Sequence, residues 1–232
     1  AFILQARDLN KRAAELALSG DYGHSLGAMI KNRGARYFGD TTVAHMIAYT
    51  SAACDARMGG ATIAVMSNSG SGNQGITATL PVVSYAEDCD ASEEQLIRAL
   101  TLSHLTSIYI KQNLGRLSAL CGCVVASTGA SSGITWLMGG KFPEVCAAIK
   151  NMIANLAGML CDGAKPACSL KISSGVSTAM MSALLAMNEH CVSEMEGIVS
   201  DDIDQTIRNL TSIGKESMME TDKQVLQIMI CK

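Results

Sequence analysis

Four cysteines near the middle of the chain are the residues whose type and spacing are best suited to binding a metal. Cys161 and Cys168 enclose the polar turn DGAKP at the end of an apolar segment, and Cys121 and Cys123 lie in another such segment. A Cys-x6-Cys spacing is uncommon in zinc and ferredoxin sites, so spacing alone favours buried cysteines acting as small hydrophobic residues. The turn instead favours a role for the two thiols as metal ligands, because it puts both of them beside backbone N–H groups. The sulfurs of a cluster and the carboxylate of a substrate both accept hydrogen bonds from such groups.

A second candidate site is the glycine-rich stretch SNSGSGNQG at residues 67–75. Its glycines allow the backbone to approach a ligand, and successive N–H groups can form an anion-binding nest. The amides in this stretch can donate to a carboxylate or accept from an ammonium. The stretch lacks the P-loop and dinucleotide-binding spacings, so a flexible loop is the competing interpretation. The candidate substrate-binding residues are Asn68, Ser69, Gly70, Ser71, Gly72, Asn73 and Gln74.

Three further residues are weaker candidates for a functional role. His104 lies in an apolar helical pattern, which favours a hydrogen-bonded core histidine over a catalytic base. Lys111 ends that helix just before Cys121 and either faces the same site or only complements the helix dipole. Cys231, the penultimate residue, is most simply an incidental thiol at a frayed chain end, and contact with a bound metal is the alternative.

Composition restricts the class of protein. The chain has 232 residues, of which 48% are hydrophobic and 17% are charged, so it can bury a core. A net charge of −3, without a basic stripe, argues against nucleic-acid binding. Nine cysteines without a disulfide framework or a signal-like N-terminus predict a reducing cytoplasm. The uncharged segment 117–140 is rich in serine and threonine, so we expect no membrane span there.

Apolar periodicity predicts a predominantly α-helical, compact domain over 1–232, with buried helices rich in small residues at its centre. Capping boxes are expected at Ser92 and Thr221, and Ser200 is expected to cap a helix that ends at Gly214. The segment 76–88 fits either a strand or a buried helix, although Pro81 argues against a central strand. Helices are expected over 2–18, 41–54, 91–111, 117–138, 143–160, 167–187 and 200–214, with a last helix from 221.

Three segments together resemble the L-cysteine desulfidase family, which is related to the α-chain catalytic domain of iron–sulfur L-serine dehydratases. They are MGGATIAVMSNSGSGNQGITATLPV, LSHLTSIYIKQNLGRLSALCG and NMIANLAGMLCDGAKPACSLKISS. The resemblance covers essentially the whole chain. It implies a [4Fe–4S] cluster held by Cys121, Cys161 and Cys168, with Cys123 outside the ligand set. It also implies that the glycine-rich stretch binds the substrate.

The resemblance implies β-elimination on a small L-amino acid. L-Cysteine would give pyruvate, ammonia and hydrogen sulfide, and L-serine dehydration is the alternative substrate choice. A non-catalytic amino-acid-binding or structural domain is the alternative of another class. Family members are longer, and their extra N-terminal portion carries a cysteine implicated as base or additional ligand, so we expect this chain to be a fragment. The oligomeric state stays open, with a homodimer as one option.

Overall fold

The computed structural model describes residues 2–115 and 118–231. These residues form eleven α-helices and one π-helical turn, without a strand longer than an isolated bridge pair. The predicted all-helical class is therefore confirmed. The elements are α1 Phe2–Leu18, α2 Leu26–Arg33, α3 Ala35–Phe38, α4 Thr42–Met58, α5 Gly72–Asp88, α6 Glu93–Leu114, α7 Gly122–Leu137, α8 Phe142–Leu156, α9 Cys168–Met187, α10 Ile203–Ser212, the π turn Ile213–Ser217 and α11 Met219–Ile230.

Helix α7 is the centre of the fold. It packs against α5, α6, α8 and α9, and nearly all of its residues are buried. Small residues permit these close contacts: a Cβ atom added at Gly129 would lie 2.1 Å from Ser107 Oγ and 2.3 Å from the Ser103 carbonyl oxygen. The buried hydroxyls of α7 donate to carbonyl oxygens, as Ser131 does to Ala179 at 2.8 Å, so the polar core carries little desolvation cost.

The open question over residues 76–88 is resolved by α5, a buried helix that contains Pro81. Its first turn takes in Gly72, so the second half of the glycine-rich stretch is helical. Ser71 caps the helix by accepting the Gln74 N–H at 3.3 Å. The capping box expected at Ser92 is present and begins α6, one of the longest helices.

Two predicted helix ends were wrong for a shared reason. Helix α7 begins at Gly122 instead of 117, and α8 ends at Leu156 instead of 160. The segment just before α7 pairs with the segment just after α8 as a short antiparallel bridge. In it the Cys121 N–H donates to the Met159 carbonyl at 2.9 Å and the Cys161 N–H donates to the Ala119 carbonyl at 2.6 Å. These long-range hydrogen bonds replace the helical ones, and no local pattern indicates them.

The C-terminal boundaries also differ from the prediction. Helix α10 is capped by Asp202, which accepts the Gln205 N–H at 2.6 Å, and not by Ser200. The helical path continues through Gly214 in the π turn, and α11 begins at Met219. Thr221 therefore lies inside a helix, and the capping box expected there is absent.

Other boundaries were incomplete. Helix α4 extends to Met58, beyond the predicted end at 54, and the short helices α2 and α3 were not predicted. Helix α9 is long and apolar enough to cross a membrane by length and composition, and half of its most apolar window is buried within the fold, as in many core helices. The uncharged segment 117–140, which was examined as a membrane span, contains the buried, 16-residue α7.

Candidate functional site

A cavity of about 190 Å³ lies where the first turns of three helices meet. Ser71 and Gly70 reach it at the start of α5, Gly122 at the start of α7, and Cys168 at the start of α9. The unpaired N–H groups of a helix N-terminus carry a partial positive charge. The starts of α5 and α7 at this cavity favour an anionic occupant, whether thiolate or carboxylate. At the start of α9 the N–H groups of Cys168, Ser169 and Leu170 already donate to backbone carbonyls.

The structure brings Cys121, Cys161 and Cys168 together as walls of this cavity, although 40 and 7 positions of chain separate them in turn. Cys121 precedes the first residue of α7, and the bridge pair holds its backbone beside that of Cys161. Cys168 is the first residue of α9, and its thiol lies 3.7 Å from the Gly163 carbonyl oxygen. Their role as ligands stays a prediction.

The thiols of Cys121 and Cys161 are in contact. The Cys121 thiol donates to the Cys161 sulfur and, with the Gly163 N–H, lowers the pKa of Cys161 to about 6. The same hydrogen bond, reinforced by burial, raises the pKa of Cys121. A Cys161 sulfur whose thiolate form is favoured by a neighbouring thiol and a backbone N–H is suited to accepting a soft metal.

Cys123, expected outside the ligand set, also lines the cavity. Its thiol lies 3.2 Å from the Lys171 carbonyl oxygen in α9, and burial raises its pKa to about 12. A Cβ atom at Gly175 would lie 2.7 Å from its sulfur, so the thiol is packed tightly against α9. These contacts hold the Cys123 side chain toward α9.

The donor set fits an iron–sulfur cluster in its chemistry. Four thiols line one cavity, those of Cys121, Cys161 and Cys168 and that of Cys123, and the backbone N–H groups of Cys123 and Gly163 favour the thiolate forms of Cys121 and Cys161. Such N–H···S bonds are the second-shell contacts that cluster thiolates use. Within 2–115 and 118–231, no three His, Cys, Asp or Glu side chains stand close enough to hold one metal ion. A four-iron cluster spans a wider set of ligands than a single ion does.

The predicted substrate-binding residues divide into two groups. Gly70, Ser71, Asn73 and Gln74 line the cysteine cavity, whereas Asn68, Ser69 and Gly72 do not. Ser69 adopts a left-handed backbone conformation, with φ of 50°, and donates to the Asn68 side-chain oxygen at 2.8 Å. Gly72 lies beneath the Arg57 side chain, where a Cβ atom would come within 2.3 Å of Nε.

Asn68 points into the core, where it donates to His104 Nδ1 at 3.0 Å. On the other side of the ring, His104 Nε2 lies 3.0 Å from the Thr79 hydroxyl, which donates to the Gly75 carbonyl and so accepts from His104. These two partners select the neutral imidazole with its proton on Nε2. His104 is thus the hydrogen-bonded core histidine that was predicted, and it ties the glycine-rich stretch to α6.

Sequence reasoning missed three residues that line the cavity: Arg57, Thr77 and Lys171. Arg57 ends α4, where its local pattern indicates only a cation that complements the helix dipole. Lys171 forms an ion pair with Asp162, whose pKa falls to about 2 because Lys165 and Lys171 both donate to it. Neither position carries a signal in a single sequence, because the cavity is assembled from distant segments.

Two further candidates lie outside the cavity walls. Lys111 is partly buried, and burial lowers its pKa, but it does not line the cavity. Cys231 is exposed at the end of α11, where Gln227 donates to its sulfur at 3.4 Å. Its neighbour Met229 lies against Gly163 at the cavity edge.

A larger cavity of about 570 Å³ lies between α2, α4 and α5 and shares no lining residue with the first. His45 lies there between Asp40 and Asp88, at 2.7 and 3.5 Å. This cavity has no thiol in its walls. The smaller, cysteine-lined cavity is therefore the candidate site, on the chemistry of its donors.

The sequence profile of the serine dehydratase alpha chain family matches residues 2–227. A UPF0597 protein of Phocaeicola vulgatus is 65% identical over 233 residues, and one of Bacteroides thetaiotaomicron is 64% identical over 232 residues. A UPF0597 protein of Shewanella halifaxensis is 49% identical over 232 residues. Each alignment covers 100% of this chain and 53–54% of the relative, so the chain spans about half the length of these curated relatives. The names of these relatives give no reaction. The match to the profile over nearly the whole chain shows that this protein belongs to the serine dehydratase alpha chain family.

Proposed function

We propose that the protein is a lyase that removes the β-substituent of a small L-amino acid with the help of a [4Fe–4S] cluster, and that L-cysteine is its preferred substrate. The observation that carries the proposal is the single cavity in which Cys121, Cys161 and Cys168 face the capped start of α5. Cysteine thiols that can bind a metal and a helix N-terminus that can bind a carboxylate thus line the same cavity. The family profile supports the lyase class.

Cys121, Cys161 and Cys168 would hold the cluster, which when bound supplies an iron free to polarise the leaving group. The N–H groups of Cys123, in the first turn of α7, and of Gly163 would favour the thiolate forms of Cys121 and Cys161 against the cost of burial. The ion pair between Lys171 and Asp162 fixes the loop that carries Cys161. These residues position and charge-balance the site before any substrate enters.

The first turn of α5 would bind the substrate beside the thiolates. Loss of the α-proton and of HS⁻ from L-cysteine leaves aminoacrylate, which takes up water to give pyruvate and ammonia. The base is not assigned to a residue of the described chain. L-Serine would react in the same way with loss of water. We favour L-cysteine because its sulfur leaving group would suit the soft-ligand chemistry of an iron–sulfur cluster better than the harder oxygen of L-serine.

The test is anaerobic reconstitution of the protein with iron and sulfide, followed by analysis of bound iron and acid-labile sulfide. We expect about four of each per chain and pyruvate release from L-cysteine faster than from L-serine. Cys161→Ser should lower bound iron and abolish turnover. Cys89→Ser is the matched control, because Cys89 is exposed and lies outside the cavity.

Three outcomes would contradict parts of the proposal. Equal iron in parent and Cys161→Ser would remove the ligand assignment. Faster pyruvate release from L-serine would replace the substrate. A full cluster with binding but no turnover of either amino acid, in a protein of the full length of the curated relatives, would favour the non-catalytic alternative.

A further inference from the structure

The cysteine cavity contains a guanidinium without an anionic partner. Arg57 is half buried in the cavity wall, while the arginine ion pairs within the described residues involve Arg7, Arg98 and Arg208. Its Nη1 donates to Asn73 Oδ1 at 3.0 Å, and its stem crosses Gly72 too closely to admit a Cβ atom. The side chain is thus held in place while most of its five N–H donors stay available.

Two acceptors on the same wall are also without partners. Gln74 and Thr77 line the cavity and are 5% and 0% exposed, and neither Gln74 Oε1 nor Thr77 Oγ1 has a hydrogen-bond partner in the described structure. Buried polar atoms in proteins are nearly always hydrogen-bonded, so two unpaired atoms in a cavity wall indicate a missing partner. For the carbonyl oxygen of Gln74 that partner must be a donor, and the Thr77 hydroxyl can accept from the same group. Both belong to the first two turns of α5.

We infer that this wall recognises both charged groups of an α-amino acid: Arg57 binds the α-carboxylate, while Gln74 Oε1 and Thr77 Oγ1 accept hydrogen bonds from the α-ammonium. Asn73, between the two subsites in the chain, orients the guanidinium. The inference rests on the proposed function and names the residues that select its substrate.

The other cation of the cavity is less suited to this role. Lys171 Nζ already donates to the Asp162 carboxylate and, at 2.7 Å, to the Leu160 carbonyl, so most of its three donors are engaged before a ligand arrives. The planar guanidinium of Arg57 matches a carboxylate with two parallel N–H···O bonds. The nearby N-terminus of α5 adds a favourable field for the same anion. A carboxamide in place of the carboxylate would lose both interactions.

The test uses L-alanine as a probe, because it has both charged groups and no β-leaving group to eliminate. Calorimetry on the reconstituted protein compares L-alanine with L-alaninamide, which lacks the carboxylate, and with propionate, which lacks the ammonium. We expect the parent to prefer L-alanine over L-alaninamide by about tenfold or more, as for a charge-assisted bidentate pair. Arg57→Gln should abolish that preference.

Variants separate the two subsites. Thr77→Val should keep the preference over L-alaninamide and reduce the preference of L-alanine over propionate. Arg98→Gln, an exposed arginine on α6, is the matched control and should behave as the parent. If Arg57→Gln does not fold, Arg57→Lys replaces it and should lower the preference over L-alaninamide by about threefold or more, because an ammonium lacks the planar fork.

A parent-like preference over L-alaninamide in folded Arg57→Gln, or in Arg57→Lys when that replaces it, overturns the carboxylate subsite. Unchanged discrimination against propionate in Thr77→Val overturns the role of Thr77 in the ammonium subsite. Iron content and L-cysteine turnover are measured on the same samples, so that failure of the proposed subsites can be told apart from failure of the proposed function. Turnover without the Arg57 effect removes only the inference, and the Arg57 effect without turnover removes only the lyase.

Discussion

His104 is a buried titratable group whose environment accepts only the neutral ring. Burial lowers its pKa from 6.5 to about 4. Protonation would also point an Nδ1–H at the amide of Asn68, which already donates to that nitrogen. The imidazole therefore links acid sensitivity to the position of the glycine-rich stretch.

We predict that acidification from pH 6.5 to 4 costs the fold up to about 3 kcal/mol through this one residue. In that window the unfolded chain binds a proton that the folded chain refuses, so stability is full above pH 6.5 and falls as pH approaches 4. Below pH 4 both states are protonated and this loss stops. Urea unfolding of the parent and His104→Gln across pH 4–7.5 measures it.

In His104→Gln the fall over this window should shrink, although the variant is less stable at neutral pH. Leu100→Ala is the control, because it removes apolar core contacts without a titratable group and should cost a similar amount at each pH. A slope in His104→Gln equal to the parent's would contradict the prediction.

Single residues were predictable from sequence when their role was local or when the resemblance supplied it. The core position of His104 follows from the apolar pattern around it. Cys121, Cys161 and Cys168 were named through the resemblance, because spacing alone favoured buried structural thiols. Arg57 could not be found, since its contact with Asn73 depends on how α4 meets α5.

At the scale of elements, contacts between helices depend on small residues. Gly129 on α7 faces α6 so closely that no Cβ atom fits beside the Ser103 carbonyl and the Ser107 hydroxyl. The helices α6 and α7 share the most extensive contact of the fold. A methyl group at this position must push their backbones apart.

We predict that Gly129→Ala lowers the free energy of unfolding by about 2 kcal/mol, as overpacking of a well-filled core does. Gly158→Ala is the matched control: a Cβ atom there meets nothing within 4 Å, so we expect a change within about 0.5 kcal/mol. Denaturant unfolding of both variants measures the difference. Equal stability of the two variants would show that α6 and α7 can separate without cost.

Helix boundaries were predictable where side chains close to the helix start determine them. The capping box of Ser92 and Gln95, which starts α6, follows from local sequence. The start of α7 and the end of α8 do not, because the backbone bridge between residues 119–121 and 159–161 sets both. The failed box at Thr221 has a similar origin, since the π turn carries the chain on helically and leaves no free end to cap.

At the scale of the whole molecule, the site is a convergence of distant segments. Its walls come from the end of α4, the start of α5, the start of α7, and the loop and first turn around 161–172. A single sequence names candidates in each segment but not their meeting, which follows from packing around α7. The cytoplasmic location and the homodimer stay predictions.

Helix α11 has no buried residue in its entire length, and it joins the body through the π turn. Local opening of such an element costs far less than global unfolding, so its amide hydrogens should exchange with deuterium much faster than those of buried α7. Because Met229 rests on Gly163 beside the cysteine cavity, every such opening also uncovers one edge of the site. Mass-spectrometric exchange should thus find peptides from 219–230 labelled within seconds and those from α7 protected for hours, because the exchange rate falls exponentially as the opening free energy rises. Comparable protection of the two segments would mean that α11 is held by more than its contacts here provide.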